Sequence, residues 1–122
     1  MLRKQWGAHP KIAGFQIRAF HALIAAWRGE RADSVVISAD TGSGKTEAAV
    51  LPVFTMLASQ KSEAKMIRAM YITPLRALNN DVLRRIVRYA ESEGLRVEIR
   101  HGDTTVAARK KIVENPPDVL IT

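Results

Sequence analysis

Apolar positions along this chain follow two alternating rhythms. Between Gly14 and Trp27, Phe15, Ala19, Leu23 and Trp27 recur every four residues with Phe20 and Ile24 beside them, which lines one face of a helix. Arg28-Gly29-Glu30-Arg31 closes that helix. Ser34 to Ser38 is instead a short continuous apolar run around Val35, Val36 and Ile37, the signature of a buried strand. A second helix is predicted from Lys45 to about Ser59, with Pro52 leaving the Ala48 carbonyl without its N–H partner and expected to kink it. Past the polar stretch Gln60 to Lys65, a strand is predicted at Ala69 to Thr73. A helix follows at Arg76 to Glu93, with Leu78, Val82, Ile86 and Ala90 on one face and Gly94 as its cap. A strand at Leu95 to Arg100, a helix from about Thr104 to Val113 stopped by Asn115-Pro116-Pro117, and a strand at Val119 to Ile121 complete the series.

Strict alternation of strand and helix predicts an α/β fold, a parallel sheet with helices on both faces. No linker, repeat or low-complexity segment divides residues 1–122, and 122 residues with 47% hydrophobic and 25% charged content suit a single domain. The last residue, Thr122, directly follows a strand with no covering helix after it, so the sheet is expected to be incomplete at its C-terminal end.

Chemistry enters behind Val35 to Ile37. The octapeptide Ala39-Asp40-Thr41-Gly42-Ser43-Gly44-Lys45-Thr46 fits the strand–loop–helix setting of a phosphate-binding loop. Small residues at Gly42, Ser43 and Gly44 let successive backbone N–H groups turn toward phosphate oxygens, and the helix that follows adds its positive end. Lys45 can reach the β- and γ-phosphates as a point charge, and the Thr46 hydroxyl can ligate the Mg²⁺ that accompanies ATP. Asp40 is the odd member, a carboxylate in a loop built for anions, and its side chain is expected to turn away.

Composition narrows the partners. No apolar stretch approaches the ~20 residues of a membrane span, and Arg3, Lys4, Trp6, Gly7 and His9 do not make a signal peptide. A cytoplasmic protein without membrane contact is expected. The absence of cysteine excludes disulfides and thiol chemistry, and His9, His21 and His101 lack the spacing of a zinc pair, so no metal beyond nucleotide-bound Mg²⁺ is expected. A net charge of +7 favours a polyanionic partner. Arg84, Arg85 and Arg88 form one basic cluster and Arg109, Lys110 and Lys111 another, each readable as a solvated helix face or as phosphate contacts.

The phosphate loop alone also suits small-molecule kinases, GTPases and transport ATPases. Two later segments separate these: Tyr71-Ile72-Thr73-Pro74-Leu75-Arg76-Ala77-Leu78-Asn79-Asn80-Asp81 and Arg100-His101-Gly102-Asp103-Thr104, each running from a strand toward a helix N-terminus. Together with Ala39 to Thr46 and the Glu47-Ala48-Ala49 that follows, they make the chain resemble, from about Gln16 to Thr122, the first RecA-like domain of superfamily 2 DEAD/DEAH-box helicases. The large-helicase-related and Ski2-like group is the nearest in flavour. A nucleoside or shikimate-type kinase would leave both later segments without a role.

The resemblance implies a P-loop NTPase fold and an ATP site of Gln16 and Ala39 through Glu47, with Lys45 and Thr46 as its catalytic members and Thr46 as the Mg²⁺ ligand. Gln16 is then the glutamine whose amide reads the adenine edge. Thr73, Pro74, Leu75 and Arg76 correspond to the family's motif Ia, which holds a nucleic-acid backbone, single strand or duplex, without reading its sequence. Gly102, Asp103 and Thr104 correspond to the next backbone-contacting loop, although Asp103 or Thr104 equally suits a helix N-cap. Pro116 to Thr122 resembles the strand that leads into the Thr-Pro-Glu motif, of which Thr122 is the opening residue. The family's acidic Asp-Glu-x-His motif and second RecA-like domain lie downstream of that point, so residues 1–122 are expected to be the N-terminal part of domain 1. Alone, they are expected to turn over ATP near background, the remainder of the helicase or a completing chain supplying the rest. Coupling of ATP hydrolysis to translocation or unwinding by the parent protein is one expectation. A non-hydrolysing ATP-dependent nucleic-acid-binding or regulatory module, completed by another chain, is the alternative.

Overall fold

A computed structural model of the chain describes residues 13–30, 34–60, 62–74 and 79–122, which gather into two compact units divided between Met56 and Leu57. In the first unit, helix α1 runs Gly14–Trp27 as its apolar spacing predicts. Its N-terminus is closed by Gln16, whose Oε1 accepts the Ala13 N–H at 2.8 Å, one of the donors that a helix start leaves free. At its other end Gly29 adopts φ 74°, and the Gly29 and Glu30 N–H groups turn back to the Ala26 and Ala25 carbonyls at 3.2 and 3.0 Å. That is a Schellman stop, which needs a residue free to enter the left-handed region. Helix α2, Lys45–Ser59, continues unbroken through a buried Pro52, and Ala48, Val50, Leu51 and Phe54 are buried along it.

Residues 34–38 depart from the expected strand. Val35 and Ile37 are half-buried while Val36 is 88% exposed, the period-two burial of a run with one covered side, yet the segment joins no ladder among the described residues. Apolar continuity marks a segment for burial, whereas a strand also requires a neighbouring backbone to accept its hydrogen bonds. Val35 and Ile37 instead border, with Phe15 and Ala19 of α1, a crevice of about 300 Å³.

In the second unit, three parallel strands lie in the order β1-β3-β2: β1 (Ala69–Tyr71), β2 (Val97–Ile99) and β3 (Val119–Ile121). Helix α3 (Asn80–Ser92) links β1 to β2, and helix α4 (Val106–Glu114) links β2 to β3. The strands are shorter than predicted at 69–73 and 95–100, and α4 begins at Val106 rather than near Thr104. Val119, Leu120 and Ile121 are all buried, so both faces of β3 are covered. In the flanking strands only one face is: Ala69, Tyr71, Val97 and Ile99 are half-buried, while Met70 and Glu98, level with Leu120, are exposed.

Asp118 ties the N-terminal ends of the strands together. Its carbonyl accepts the Arg68 and Ala69 N–H groups at 2.9 and 3.0 Å, and its carboxylate accepts the Arg96 N–H at 2.9 Å and lies 3.6 Å from the Arg68 guanidinium. Helix α3 packs on β2 and buries Ile86, Tyr89 and Ala90. It starts four residues later than the Arg76 predicted for it, because Asn79, in an extended conformation, caps it by accepting the Asp81 N–H at 2.8 Å. It ends at Ser92, one residue before the predicted Glu93, and Gly94, at φ 75° just past the cap, sends the Gly94 and Leu95 N–H groups back to Glu91 and Ala90 at 2.9 and 3.0 Å. Among the described residues no helix is long and apolar enough to cross a membrane.

Ile121 is fully buried at the centre of this sheet. Ile121→Ala is expected to lower unfolding free energy by about 2–5 kcal/mol, whereas Val113→Ala, at a residue 77% exposed, is expected to stay within about 0.5 kcal/mol. Urea unfolding of both variants checks the contrast.

Candidate functional site

The phosphate loop is held closed by its own backbone and by one distant side chain. Gly42 and Gly44 take φ 77° and 90°, conformations that L side chains rarely adopt. The Ser43 N–H donates to the Asp40 carbonyl at 3.2 Å, the Ser43 hydroxyl donates to the same oxygen, and the Lys45 ammonium donates to the Ala39 carbonyl. The two ends of the loop are thus joined by Ser43 and Lys45, residues expected to face a phosphate. Asp40, Thr41 and Gly42 are exposed; Ala39 and Ser43 through Glu47 are half-buried. The Gly44 carbonyl accepts the Ala48 N–H at 3.0 Å, the opening hydrogen bond of α2.

Gln16 reaches the same carbonyl. Its Nε2 donates to Gly44 O at 3.1 Å while its Oε1 caps α1, and the residue is 6% exposed. A Cβ placed on Gly44 would lie 2.3 Å from Gln16 Nε2 and 3.9 Å from a Glu47 carboxylate oxygen. Gly44 therefore serves twice: its φ shapes the loop, and its missing side chain admits the glutamine. The amide of Gln16 keeps one N–H and one lone pair beyond these two bonds.

Among the described residues no group of three acidic, histidine or cysteine side chains could hold a metal ion. Thr46, in the first turn of α2, would offer one hydroxyl oxygen to Mg²⁺, an ion that keeps most of its waters and takes few protein oxygens beside substrate phosphates.

In the second unit four of the remaining candidates, Thr73, Pro74, Gly102 and Asp103, meet at the C-terminal ends of the strands, while Thr104 does not border the cavity there. Thr73 N–H donates to the Thr122 carbonyl at 2.9 Å, Thr122 N–H to Tyr71 at 3.0 Å, and Arg100 N–H to Ile121 at 2.8 Å, extending the ladder past the strands proper. A cavity of about 840 Å³ opens there, bordered by Thr73 and Pro74 after β1, Arg100 to Asp103 after β2, and Thr122 after β3. Crevices outside the carboxyl ends of parallel strands are where such sheets bind ligands. Leu75 and Arg76 lie outside the described residues.

The loop after β2 is a tight turn. The Thr104 hydroxyl accepts the His101 N–H at 2.8 Å, and His101 Nδ1 accepts the Asp103 N–H at 3.2 Å. The N-cap of α4 is neither Asp103 nor Thr104 but Thr105, whose hydroxyl accepts the Ala108 N–H at 3.2 Å. Thr104 is already engaged in the turn, which leaves the next hydroxyl to close the helix. Gly102 and Asp103 are exposed at the cavity mouth.

Among the cavity residues not expected at the site are Asn80 and Arg109. Asn80 enters because α3 starts there. Arg109 was visible only as one member of a basic triplet, yet Lys110 and Lys111 are exposed while Arg109 turns into the cavity and donates from Nη2 to the Gly102 carbonyl at 3.2 Å. Its position seven residues after Gly102, one helical turn past the cap, was the available signal.

The sequence profile of DEAD/DEAH box helicases matches residues 14–122. The chain belongs to the DEAD/DEAH box helicase family. Among curated relatives of this helicase segment, the ATP-dependent helicase Lhr-Core protein 2 of Thermococcus barophilus is 38% identical over 117 residues, covering 84% of the chain and 13% of the relative. The Lhr helicase/uracil glycosylase of Escherichia coli is 39% identical over 111 residues, covering 75% of the chain and 7% of the relative. A solved structure, Mycobacterium smegmatis helicase Lhr bound to ssDNA and AMP-PNP, superposes with a TM-score of 0.55 at 32% identity, over 90% of this chain and 16% of that one. The helicase segment thus spans a small part of the length of the relatives it matches.

The contact between Gly44 and Gln16 is testable by a double-mutant cycle. Gly44→Ala is expected to cost about 2–3 kcal/mol of stability through the positive φ and the displaced amide. Gln16→Ala is expected to cost about 1–2 kcal/mol. Because the first change already dislodges the glutamine, the double variant should fall short of the sum by about 1 kcal/mol; strict additivity would mean the two do not touch.

Proposed function

We propose that this chain is the N-terminal, ATP-binding part of the first RecA-like domain of a cytoplasmic helicase that couples ATP hydrolysis to translocation on, or unwinding of, nucleic acid. The observation that carries this reading is the hydrogen bond of Gln16 to the loop at Gly44, because it joins the glutamine proposed to read the base to the loop proposed to hold the phosphates. In the proposal, the N–H groups from Thr41 to Thr46 receive the phosphates. Lys45 leaves the Ala39 carbonyl for the β- and γ-phosphate oxygens, and Thr46 holds the Mg²⁺ that neutralises their charge. Gln16 presents its remaining N–H and lone pair to the adenine edge.

Nucleic acid is proposed to lie across the strand ends of the second unit, with Thr73, Pro74, Leu75, Arg76, Gly102, Asp103 and Thr104 against its backbone. Phosphate contacts of this kind position a strand without reading bases. Support comes from the cavity at Thr73 and Gly102 and from the ssDNA and AMP-PNP that the Mycobacterium smegmatis helicase holds. The rest of the helicase, or a completing chain, is proposed to supply the acid for hydrolysis.

Lys45→Ala should abolish ATP binding in a titration with a fluorescent ATP analogue while leaving oligonucleotide affinity nearly unchanged. Arg76→Ala should instead weaken binding to all oligonucleotide sequences alike and make its salt dependence shallower. Nucleotide binding that survives Lys45→Ala, or an Arg76→Ala effect confined to one sequence, would contradict these assignments.

A further inference from the structure

We propose that Arg109 is a backbone-contacting residue of the cavity at the strand ends: it braces the Gly102 turn and gives its remaining donors to a phosphodiester oxygen of a bound single strand. This inference rests on the nucleic-acid reading of that cavity and adds to it a residue outside the motif segments.

Three observations meet at this side chain. Arg109 Nη2 donates to the Gly102 carbonyl at 3.2 Å, so the guanidinium is oriented by the loop and not merely swept across a surface. Its Nε is fully buried and has no hydrogen-bond partner. A guanidinium N–H closed off from water in this way is out of a ligand's reach as well, so the side chain is packed firmly beneath the turn and a phosphate contact falls to the Nη donors. The cavity that Arg109 borders also receives Arg100, against a single carboxylate from Asp103, and neither arginine forms an ion pair among the described residues. Its local charge is therefore positive, matched to an anion.

The chemistry of the guanidinium selects the anion. Its donors lie in one plane in a fixed fork, so one edge can hold a carbonyl while another addresses a phosphate oxygen. A lysine ammonium has no such fork. Thr73 and Thr122, paired through their backbones, border the same cavity, so a strand seated there would meet hydroxyls as well as charge. The two lysines beside Arg109 do not share this arrangement, since Lys110 pairs with Glu114 at 3.7 Å on the solvent side and Lys111 is exposed.

Two substitutions separate bracing from phosphate contact. Arg109→Gln keeps an amide N–H for the Gly102 carbonyl but removes the charge; Arg109→Lys keeps the charge. Affinity of the full chain for dT and mixed-sequence single-stranded oligonucleotides is measured by anisotropy across a salt series. Arg109→Gln should bind about 10-fold more weakly, with the slope of log affinity against log salt shallower by about 0.7. Arg109→Lys should keep the slope of the parent chain and lose less affinity. Thermal melts report whether either variant is unfolded, and if Arg109→Gln is, Arg109→Met, which keeps the apolar stem and also removes the charge, takes its place in the salt series. If both single variants weaken binding with the slope unchanged, or bind as the parent does, Arg109 is only a brace and the inference is overturned while the cavity's reading stands. If the parent chain shows no salt-dependent binding to any oligonucleotide, both are overturned.

Discussion

Insertion of β3 between β1 and β2, parallel to both and in one shared register, is the constraint on which the second unit depends. Ala69, Val119 and Val97 lie level, as do Tyr71, Ile121 and Ile99. The three strands therefore end together, and the segments leaving them, Thr73–Pro74, Thr122 and Arg100–Asp103, emerge side by side. Residues almost fifty positions apart meet because one strand pairs on both edges. The same insertion explains the burial of Leu120 beside exposed Met70 and Glu98, since only the central strand is covered on both faces. Asp118 secures the opposite ends, so the level of the strands is fixed at both termini.

The phosphate loop rests on a different constraint, the lack of a side chain at Gly44. Positive φ there turns the Gly44 carbonyl so that it accepts both the opening hydrogen bond of α2 and the amide of Gln16. One atom thus joins the start of α2 to the start of α1, because Gln16 also caps the latter. The proposed anion site is in this way buttressed by a neutral amide, which adds a hydrogen bond without adding charge that would compete with phosphate.

Much of this was legible in the residues, and the exceptions have physical causes. Helices α1 and α2 begin and end where periodicity and Gly29 place them, since a helix satisfies most of its hydrogen bonds internally. Residues 34–38 carry the composition of a strand but no ladder, because pairing belongs to two segments and only one is visible in a local pattern. Helix α3 starts at Asn80 and not at Arg76 because the cap at Asn79 outweighs the apolar stripe that begins at Leu78. Thr105 displaced Asp103 and Thr104 as a cap because Thr104 was taken by His101. The motif residues were readable as segments; that Thr73, Gly102 and Thr122 share a cavity was not, because strand order is a property of the sheet. Arg109 was hidden for a simpler reason, as a charge among like charges whose direction only the fold reveals.

In the arrangement proposed for this chain, a nucleotide is held in the first unit and a nucleic-acid strand in the second, through two separate sets of residues. Backbone amide NMR of the full chain, titrated first with AMP-PNP and Mg²⁺ and then with a single-stranded oligonucleotide, tests this most directly. The nucleotide should shift amides from Thr41 to Thr46 together with the Gln16 side-chain amide, and the oligonucleotide should shift Thr73, Arg100 to Thr104 and Thr122. Both ligands perturbing the same residues, or the oligonucleotide leaving the strand ends unchanged, would contradict it.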